Sequence, residues 1–299
     1  MHKNPITAGE TRVFCFSRLI AGAANASINL FSNHDPLHNP HMPKCSYITI
    51  ALASALAAWA LAVRNPVFLG SVVIVFFVVL ALGVALPRLH FFAPFICRAN
   101  TGKKLVALTF DDGPDPRSTP QLLALLRERK TPAAFFCIGS KVAANPALAA
   151  QISKEGHLVE NHAYTHSYFS NFHLTARLRR ELERTQAVIE KTTGRAPRFF
   201  RPFMGLSNSC TWRAAQDTGL RLVAWSIRSL DTVIARPEKI TRRVMRRLHP
   251  GAIILLHDGN IPPEKLVATT ALLLDALRAR NYEVTRLDSL VDESPPNKP

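Results

Sequence analysis

The sequence predicts an α/β fold: a (β/α)7-type barrel of parallel strands preceded by a transmembrane helical hairpin. Three observations carry this. Beyond residue 100, seven short apolar runs alternate with helix-like stretches. Two charge-free segments, Ser46–Val63 and Val67–Leu86, each reach membrane length. Five of the apolar runs stop on an ionisable side chain, as strands do when they end at one reactive rim.

The apolar runs are LVALTF (105–110), AAFFCI (133–138), HLVE (157–160), RFF (198–200), LRLVAWS (220–226), AIILLH (252–257) and YEVTRL (282–287). Between them, 119–130, 141–155, 174–193, 208–219, 236–248 and 263–280 read as helices. Ser118-Thr119-Pro120 offers a helix start, and Gly156 and Gly219 offer helix stops. Strands that are apolar on both faces and separated by helices belong to a parallel sheet, open or closed. Roughly seven repeats favour closure.

Residues 42–87 are expected to form the membrane hairpin (46–63 and 67–86), with "RNP" (64–66) as its tight turn. Each segment can cross a ~30 Å hydrocarbon layer. The second is far too apolar for a surface helix. The first is Ala-rich and also fits the core of a signal peptide, with a basic start and small residues after it. Residues 1–41 show no sustained period and are expected to be disordered or untranslated, with Met42 as the start. Residues 88–103 read as a linker, 104–290 as the soluble domain and 291–299 as a disordered tail. Lys44 flanks one side and Arg88, Arg98, Lys103 and Lys104 the other, with only Arg64 in the turn. The positive-inside rule then places both flanks and the large domain in the cytoplasm. A single crossing would instead put the domain outside.

The formal net charge of +16 favours an anionic neighbour, such as acidic headgroups or an anionic polymer. Two expected helices carry clustered arginines: Arg177, Arg179, Arg180 and Arg184, and Arg242, Arg243, Arg246 and Arg247. The second set forms one stripe, as suited to anionic headgroups as to solvent. No nucleic-acid-reading motif accompanies the charge and no aromatics interleave the stripe, which argues against a nucleic-acid partner. No Gly-rich phosphate loop follows a strand, which argues against phosphoryl transfer. The five scattered cysteines suggest neither a disulfide framework nor a Cys-rich zinc site.

Turn chemistry explains one Asp-Gly after a strand. It does not explain Asp111-Asp112, His162, His166, Arg201, Asp231 and His257 all gathering where strands end. Two histidines and one carboxylate suit Zn²⁺ or a similar borderline ion, with a position left for water. Adjacent residues at a strand end point differently, so one Asp can ligate while the other faces the water as base. A histidine on the opposite side, kept charged by a neighbouring Asp, can protonate a leaving group, and Arg201 can fix the base. Such an assembly performs metal-assisted hydrolysis of an amide or ester.

Over roughly residues 104–290 these segments resemble the polysaccharide deacetylases, the NodB-homology domain of carbohydrate esterase family 4. "TFDDG" (109–113) matches the first motif in full. "HAYTH" (162–166) matches H-[ST]-x-x-H at both histidines. "RPFMG" (201–205) corresponds to R-P-P-Y-G, "RSLDT" (228–232) to D-x-x-D-W and "LLH" (255–257) to L-x-H. The resemblance implies a distorted, NodB-like barrel and one divalent ion, zinc before cobalt or nickel, on Asp112, His162 and His166. It makes Asp111 the base, Arg201 its orienting partner, His257 the acid and Asp231 the residue that tunes it. It puts the Met204 N–H at the oxyanion and Leu255 in the acyl pocket wall.

Several positions depart from the family pattern. Ala163 replaces Ser/Thr, Phe203-Met204 replace Pro-Tyr, and Arg228 replaces Asp. Thr232 replaces the Trp against the acetyl methyl, which implies a wider or more polar pocket. Tyr164, Phe169 and Trp225 are further wall candidates that core packing explains equally well. The implied activity is hydrolytic deacetylation of an N-acetylated amino sugar in a glycan. A lipid-linked sugar precursor and an O-acetyl glycan are the alternative substrates. A non-catalytic carbohydrate-binding relic is the alternative of another class.

Overall fold

A computed structural model describes residues 44–63, 66–167 and 173–292. The expectations for residues 1–41, for Phe169 and for the tail beyond Asp292 lie outside the described residues.

Two helices open the described chain, α1 (Lys44–Val63) and α2 (Pro66–Ala85). Proline at the first turn of α2 fits there because its missing N–H would have no intrahelical partner. The Val-, Ile- and Phe-rich body of this helix presents an almost wholly exposed apolar surface. Among the described residues α2 alone is long and apolar enough to cross a membrane. The expected first span is a helix of the same length but less apolar, so a two-span hairpin has no comparable support. Trp59 of α1 meets Phe68 of α2 edge to face, with ring centroids 5.0 Å apart.

The last turn of α2 docks on the body of the domain. A Cβ on Gly83 would lie 2.7 Å from the Phe91 ring, so only glycine admits that ring. Ser207 N donates to Val84 O at 3.3 Å.

The domain is built on β1 (Leu105–Gly113), β2 (Ala134–Cys137), β3 (Leu158–Asn161), β4 (Phe199–Phe200), β5 (Arg221–Leu222), β6 (Ile227–Arg228), β7 (Ala252–His257) and β8 (Glu283–Val284). The order is β5-β4-β3-β2-β1-β7-β6, with β8 pairing the start of β1, and every pair is parallel. This is the expected parallel β/α sheet, but its edges β5 and β6 are not paired with each other. They are joined only by Val223–Ser226, so the run 220–226 is two edge strands rather than one. The sheet is an incomplete barrel. Within the stretch read as a linker, Ile96 N donates to Leu222 O (2.8 Å) and Ala224 N to Ile96 O (3.0 Å). Ala99 N donates to Gly251 O (2.8 Å), and Arg98 bridges Ala252. Residues 96–99 therefore line the open edge.

The helices of the domain are α3 (Thr119–Glu128), α4 (Gly139–Ala144), α5 (Pro146–Lys154), α6 (Thr175–Thr193), α7 (Ser209–Asp217), α8 (Pro237–Met245), α9 (Pro263–Ala279) and α10 (Leu287–Asp292). The expected helix 141–155 breaks at Asn145-Pro146, because the proline ring disfavours a helical residue before it. Asn208 caps α7 by accepting Thr211 N at 3.0 Å.

Alternation along the strands divides the core. Val106, Leu108, Phe110, Ile254 and Leu256 pack outward with helix residues such as Leu122, Leu126 and Leu273. Ala107, Ala134, Phe136 and Ile253 fill the inside. Each large apolar side chain buried this way contributes about 2 kcal/mol. The same alternation turns Thr109, Asp111, Leu255 and His257 to the inner face, where the polar cluster lies.

Candidate active site

The site begins at the end of β1. Its register with β2 shifts between Asp111 and Gly113, and Asp112 sits at φ +72°. This bulge breaks the strict alternation and lets two consecutive carboxylates serve different neighbours. Asp111 stays in register, opposite Phe136 on β2 and His257 on β7. Asp112 turns to the histidines. Its Oδ1 lies 3.4 Å from His162 Nε2 and 2.9 Å from His166 Nε2.

The loop carrying the histidines is held from both sides. Asn161 Oδ1 accepts Ala163 N (2.9 Å), while Asn161 Nδ2 donates to Leu182 O (3.0 Å) on α6. Gly139 N donates to Ala163 O (2.9 Å), and Glu181 accepts both the N–H and the hydroxyl of Thr165. The Arg184 guanidinium lies 3.6 Å from the Tyr164 ring centroid, so this expected wall residue is occupied in packing the loop.

The three side chains fit a divalent ion. Their ligand atoms lie within 4.8 Å of one another. Arg201 O, which can only accept, lies 2.6 Å from His162 Nδ1. That nitrogen must carry the proton, leaving Nε2 with its lone pair unless the ring is charged. His162 Nε2 faces His166 Nε2 at 3.1 Å. Two imidazole nitrogens and a carboxylate oxygen this close form an N₂O donor set, which suits zinc-like ions. Burial alone would raise the Asp112 pKa. The hydrogen bonds and charge of the two histidines outweigh it and hold this carboxyl well below the usual range.

Asp111 is anchored by a wholly buried arginine. Arg201 Nη1 donates to Asp111 Oδ1 (2.7 Å) and Thr109 Oγ1 (2.8 Å), and Nη2 donates to Ala224 O (2.9 Å). Its guanidinium stacks 4.0 Å from the Phe136 centroid. Burial disfavours the arginine charge and holds its pKa below the ordinary value, an effect the Asp111 carboxylate offsets only in part.

Across the rim, His257 Nδ1 lies 2.8 Å from Asp231 Oδ1, and its backbone N donates to Asp231 Oδ2 at 2.7 Å. Ser229 Oγ donates to the same Oδ1 (2.9 Å). Burial would lower the His257 pKa. The hydrogen bond and charge of Asp231, with the charges of Asp111 and Asp112, raise it above the ordinary value. Leu255 is buried two residues earlier on the same face. Met204 sits at φ +54°, and its N–H meets no acceptor among the described residues. Gly205 comes next at φ +69°, and a Cβ there would strike the Trp225 ring at 2.5 Å. Thr232 is exposed, and no hydrogen bond ties it to the other expected residues.

Sequence reasoning missed several supports. Lys141 Nζ donates to Asp112 O (2.7 Å), and Asn260 Nδ2 reaches Asp112 Oδ2 (3.3 Å). Lys265 Nζ donates to Asp231 O (2.6 Å). Asp258 is buried under the rim, accepting Ser118 Oγ (2.7 Å) and Thr119 Oγ1, and burial pushes its pKa up to about 6. Its adjacency to His257 was the available signal.

Comparison with known proteins agrees with this geometry. The polysaccharide deacetylase family pattern matches residues 98–223. A peptidoglycan-N-acetylglucosamine deacetylase of Bacillus cereus is 37% identical over 191 residues, 63% of this chain and 89% of that protein. A chitooligosaccharide deacetylase of Bradyrhizobium is 33% identical over 216 residues, covering 67% and 99%. Among solved structures, a family 4 carbohydrate esterase from Streptomyces lividans in complex with acetate superposes with a TM-score of 0.57 at 31% identity, over 64% of this chain and 94% of that one. A family pseudoenzyme from Bacillus anthracis superposes with a TM-score of 0.61 at 29% identity, over 66% and 69%. Fold and kinship together define a hydrolase, of the carbohydrate deacetylase class. More narrowly, the chain belongs to the polysaccharide deacetylase family.

Proposed function

We propose that this chain hydrolyses the acetyl group from an N-acetylated amino sugar of a glycan, with a zinc-like ion on Asp112, His162 and His166. The observation that carries the reading is the register of β1 and β7. Asp111 and His257 are paired partners on the inner face of neighbouring strands, so a proton acceptor and a proton donor flank one position beside the triad. When bound, the ion acts as a Lewis acid that polarises the substrate carbonyl and acidifies a water. Asp111, held by Arg201, takes the proton from the attacking water. The Met204 N–H donates to the developing oxyanion. His257, its proton affinity raised by Asp231, gives its proton to the departing amine. Leu255 lines the acyl pocket, and the exposed Thr232 leaves that pocket open on one side.

The relatives' activities on peptidoglycan and chitooligosaccharide support an amino-sugar glycan as substrate. A second reading, a lipid-linked amino sugar, is favoured by the membrane-length α2 ending against the domain. In this reading α2 anchors the protein in the cell membrane with α1 as a second crossing, and the basic flanks put the domain on the cytoplasmic side. The pseudoenzyme relative gives weight to a binding-only alternative, against which stand the intact triad and both proton-transfer pairs.

The test is acetate release by the full-length protein in detergent with Zn²⁺, offered chitotetraose and a lipid-linked N-acetylglucosamine. Asp111→Asn is expected to retain metal and lose turnover by about 10²–10⁴. Stoichiometric zinc with no acetate from either substrate would leave the binding-only reading.

A further inference from the structure

A cleft of about 1040 Å³ opens where α2 completes its last turn. Five arginines line it, Arg88, Arg98, Arg228, Arg243 and Arg247, and no acidic residue does. Among the described residues, none of the five lies within ion-pair distance of a carboxylate. Arginines elsewhere on the domain surface, such as Arg127, Arg129, Arg195 and Arg198, do have one. The expected four-arginine stripe is thus divided. Arg243 and Arg247, one turn apart, line the cleft, while Arg242 and Arg246 do not. Arg243 Nε donates to Arg228 O at 3.1 Å, and Arg88 Nη2 donates to Ser226 O. Burial, then the charges of Arg247 and Arg228, press the Arg243 pKa below its ordinary value. Like charges are gathered here with no counter-charge from the described protein.

Two features of its position narrow what that counter-charge is. Ala85 and Leu86, at the end of the membrane-length helix, form part of the wall, so with that helix in a membrane, as in the second reading above, the cleft sits at the level of lipid phosphates. Leu86 and Leu89 beside them are about half exposed, at 45% and 52%. The cleft also reaches the candidate active site. Met204 and Trp225 line it, the Trp225 ring lies 5.8 Å from the Arg201 guanidinium, and Arg201 holds Asp111.

We propose that this cleft binds the phosphate or diphosphate of a lipid that carries the sugar to be deacetylated. The inference rests on the deacetylase reading and chooses among its substrates. Guanidinium forks match phosphate oxygens in a way a neutral glycan does not require. The lipid tail runs along the apolar surface of α2, and the sugar extends past Met204 towards Asp111 and His257.

The test uses the full-length protein in detergent micelles and the double variant Arg98→Gln/Arg247→Gln. Both residues lie outside the proton-transfer and metal-holding groups. On N-acetylglucosamine diphosphate carried by a short polyprenyl chain, the variant is expected to raise KM by roughly 100-fold, with kcat within about twofold, as loss of two charge-assisted hydrogen bonds implies. Its kcat/KM on chitotetraose and its melting temperature stay unchanged. Inorganic pyrophosphate, followed by calorimetry, binds Asp111→Asn but not Asp111→Asn carrying the double substitution. Equal KM values for wild type and variant on the lipid-linked sugar, or no pyrophosphate binding, would overturn the assignment, while acetate from chitotetraose keeps the deacetylase reading standing. Pyrophosphate binding with no acetate from either substrate would instead sink the deacetylase reading and leave the phosphate site. If the variant loses only its hold on phosphatidylglycerol vesicles, with KM unaltered, the cleft is a bulk-lipid dock and the proposal falls.

Discussion

Replacing Arg201 with methionine isolates the interaction on which the proposed base depends. The guanidinium is wholly buried and serves Asp111, Thr109 and two backbone carbonyls, those of Ala224 and, at 3.4 Å, Val223. Methionine fills much of the volume beside Phe136 but leaves a buried carboxylate with no counter-charge. Removing one partner of such a pair costs about 3–5 kcal/mol, far more than the intact pair contributes against an apolar replacement. Asp111→Asn alone keeps an acceptor for Nη1 but leaves the buried guanidinium without its counter-charge, so it too costs about 3–5 kcal/mol. Because the double variant has no uncompensated charge, its loss falls short of the sum of the singles by about 2–3 kcal/mol. Urea unfolding of all four proteins, followed through the fluorescence of Trp212 and Trp225, measures this coupling. Additivity within about 0.5 kcal/mol would refute the reasoning, because it would mean that Asp111 does not depend on Arg201.

Other outcomes rest on the same geometry. Asp231 raises the His257 pKa, so Asp231→Asn moves the basic limb of the kcat/KM–pH profile to lower pH; an unmoved limb would remove His257 as the acid. Burial lifts Glu160 to about 7, against the opposing N–H groups of Phe199 and Arg198. The folded state therefore binds a proton that the unfolded chain has released, and stability declines as pH rises from the ordinary carboxylate range through about 7. Glu160→Gln, read by urea unfolding at pH 5 and 8, should flatten that decline by on the order of 3 kcal/mol. Chelation should abolish turnover and lower the melting temperature, and zinc at a hundredfold excess over its Kd should return about 2.7 kcal/mol. Neither effect of zinc should appear in His162→Ala.

Much of this was legible in the chain. The β1 and β7 runs are bounded by turn residues and stop on Asp111 and His257, so the ends of the apolar runs put both residues on one rim, while their pairing is visible only in the register of the sheet. LRLVAWS misled because Val223 and Ala224 are buried without lying in either flanking strand; apolar composition reports burial there, not strand pairing. The break at Asn145-Pro146 was readable from the proline and was overlooked. Lys141, Asn260 and Lys265 could not be seen. Two of them hold backbone carbonyls of site residues and one holds a carboxylate oxygen, from segments distant in sequence, and no spacing encodes such contacts. The arginine stripe was visible as a pattern, but only packing at the end of α2 shows which half turns inward.

The segment directly after α2 is a stave of the incomplete barrel. Ile96, Arg98 and Ala99 bond to β5, to β7 and to the turn before β7, on the side where the sheet fails to close on itself. The apolar helix α2 and the hydrolase are therefore not modules that can be parted at residue 100. A version without α2 must begin ahead of Phe95 to stay sealed, and any displacement of α2 is delivered to the seam next to Ala224, whose carbonyl steadies Arg201.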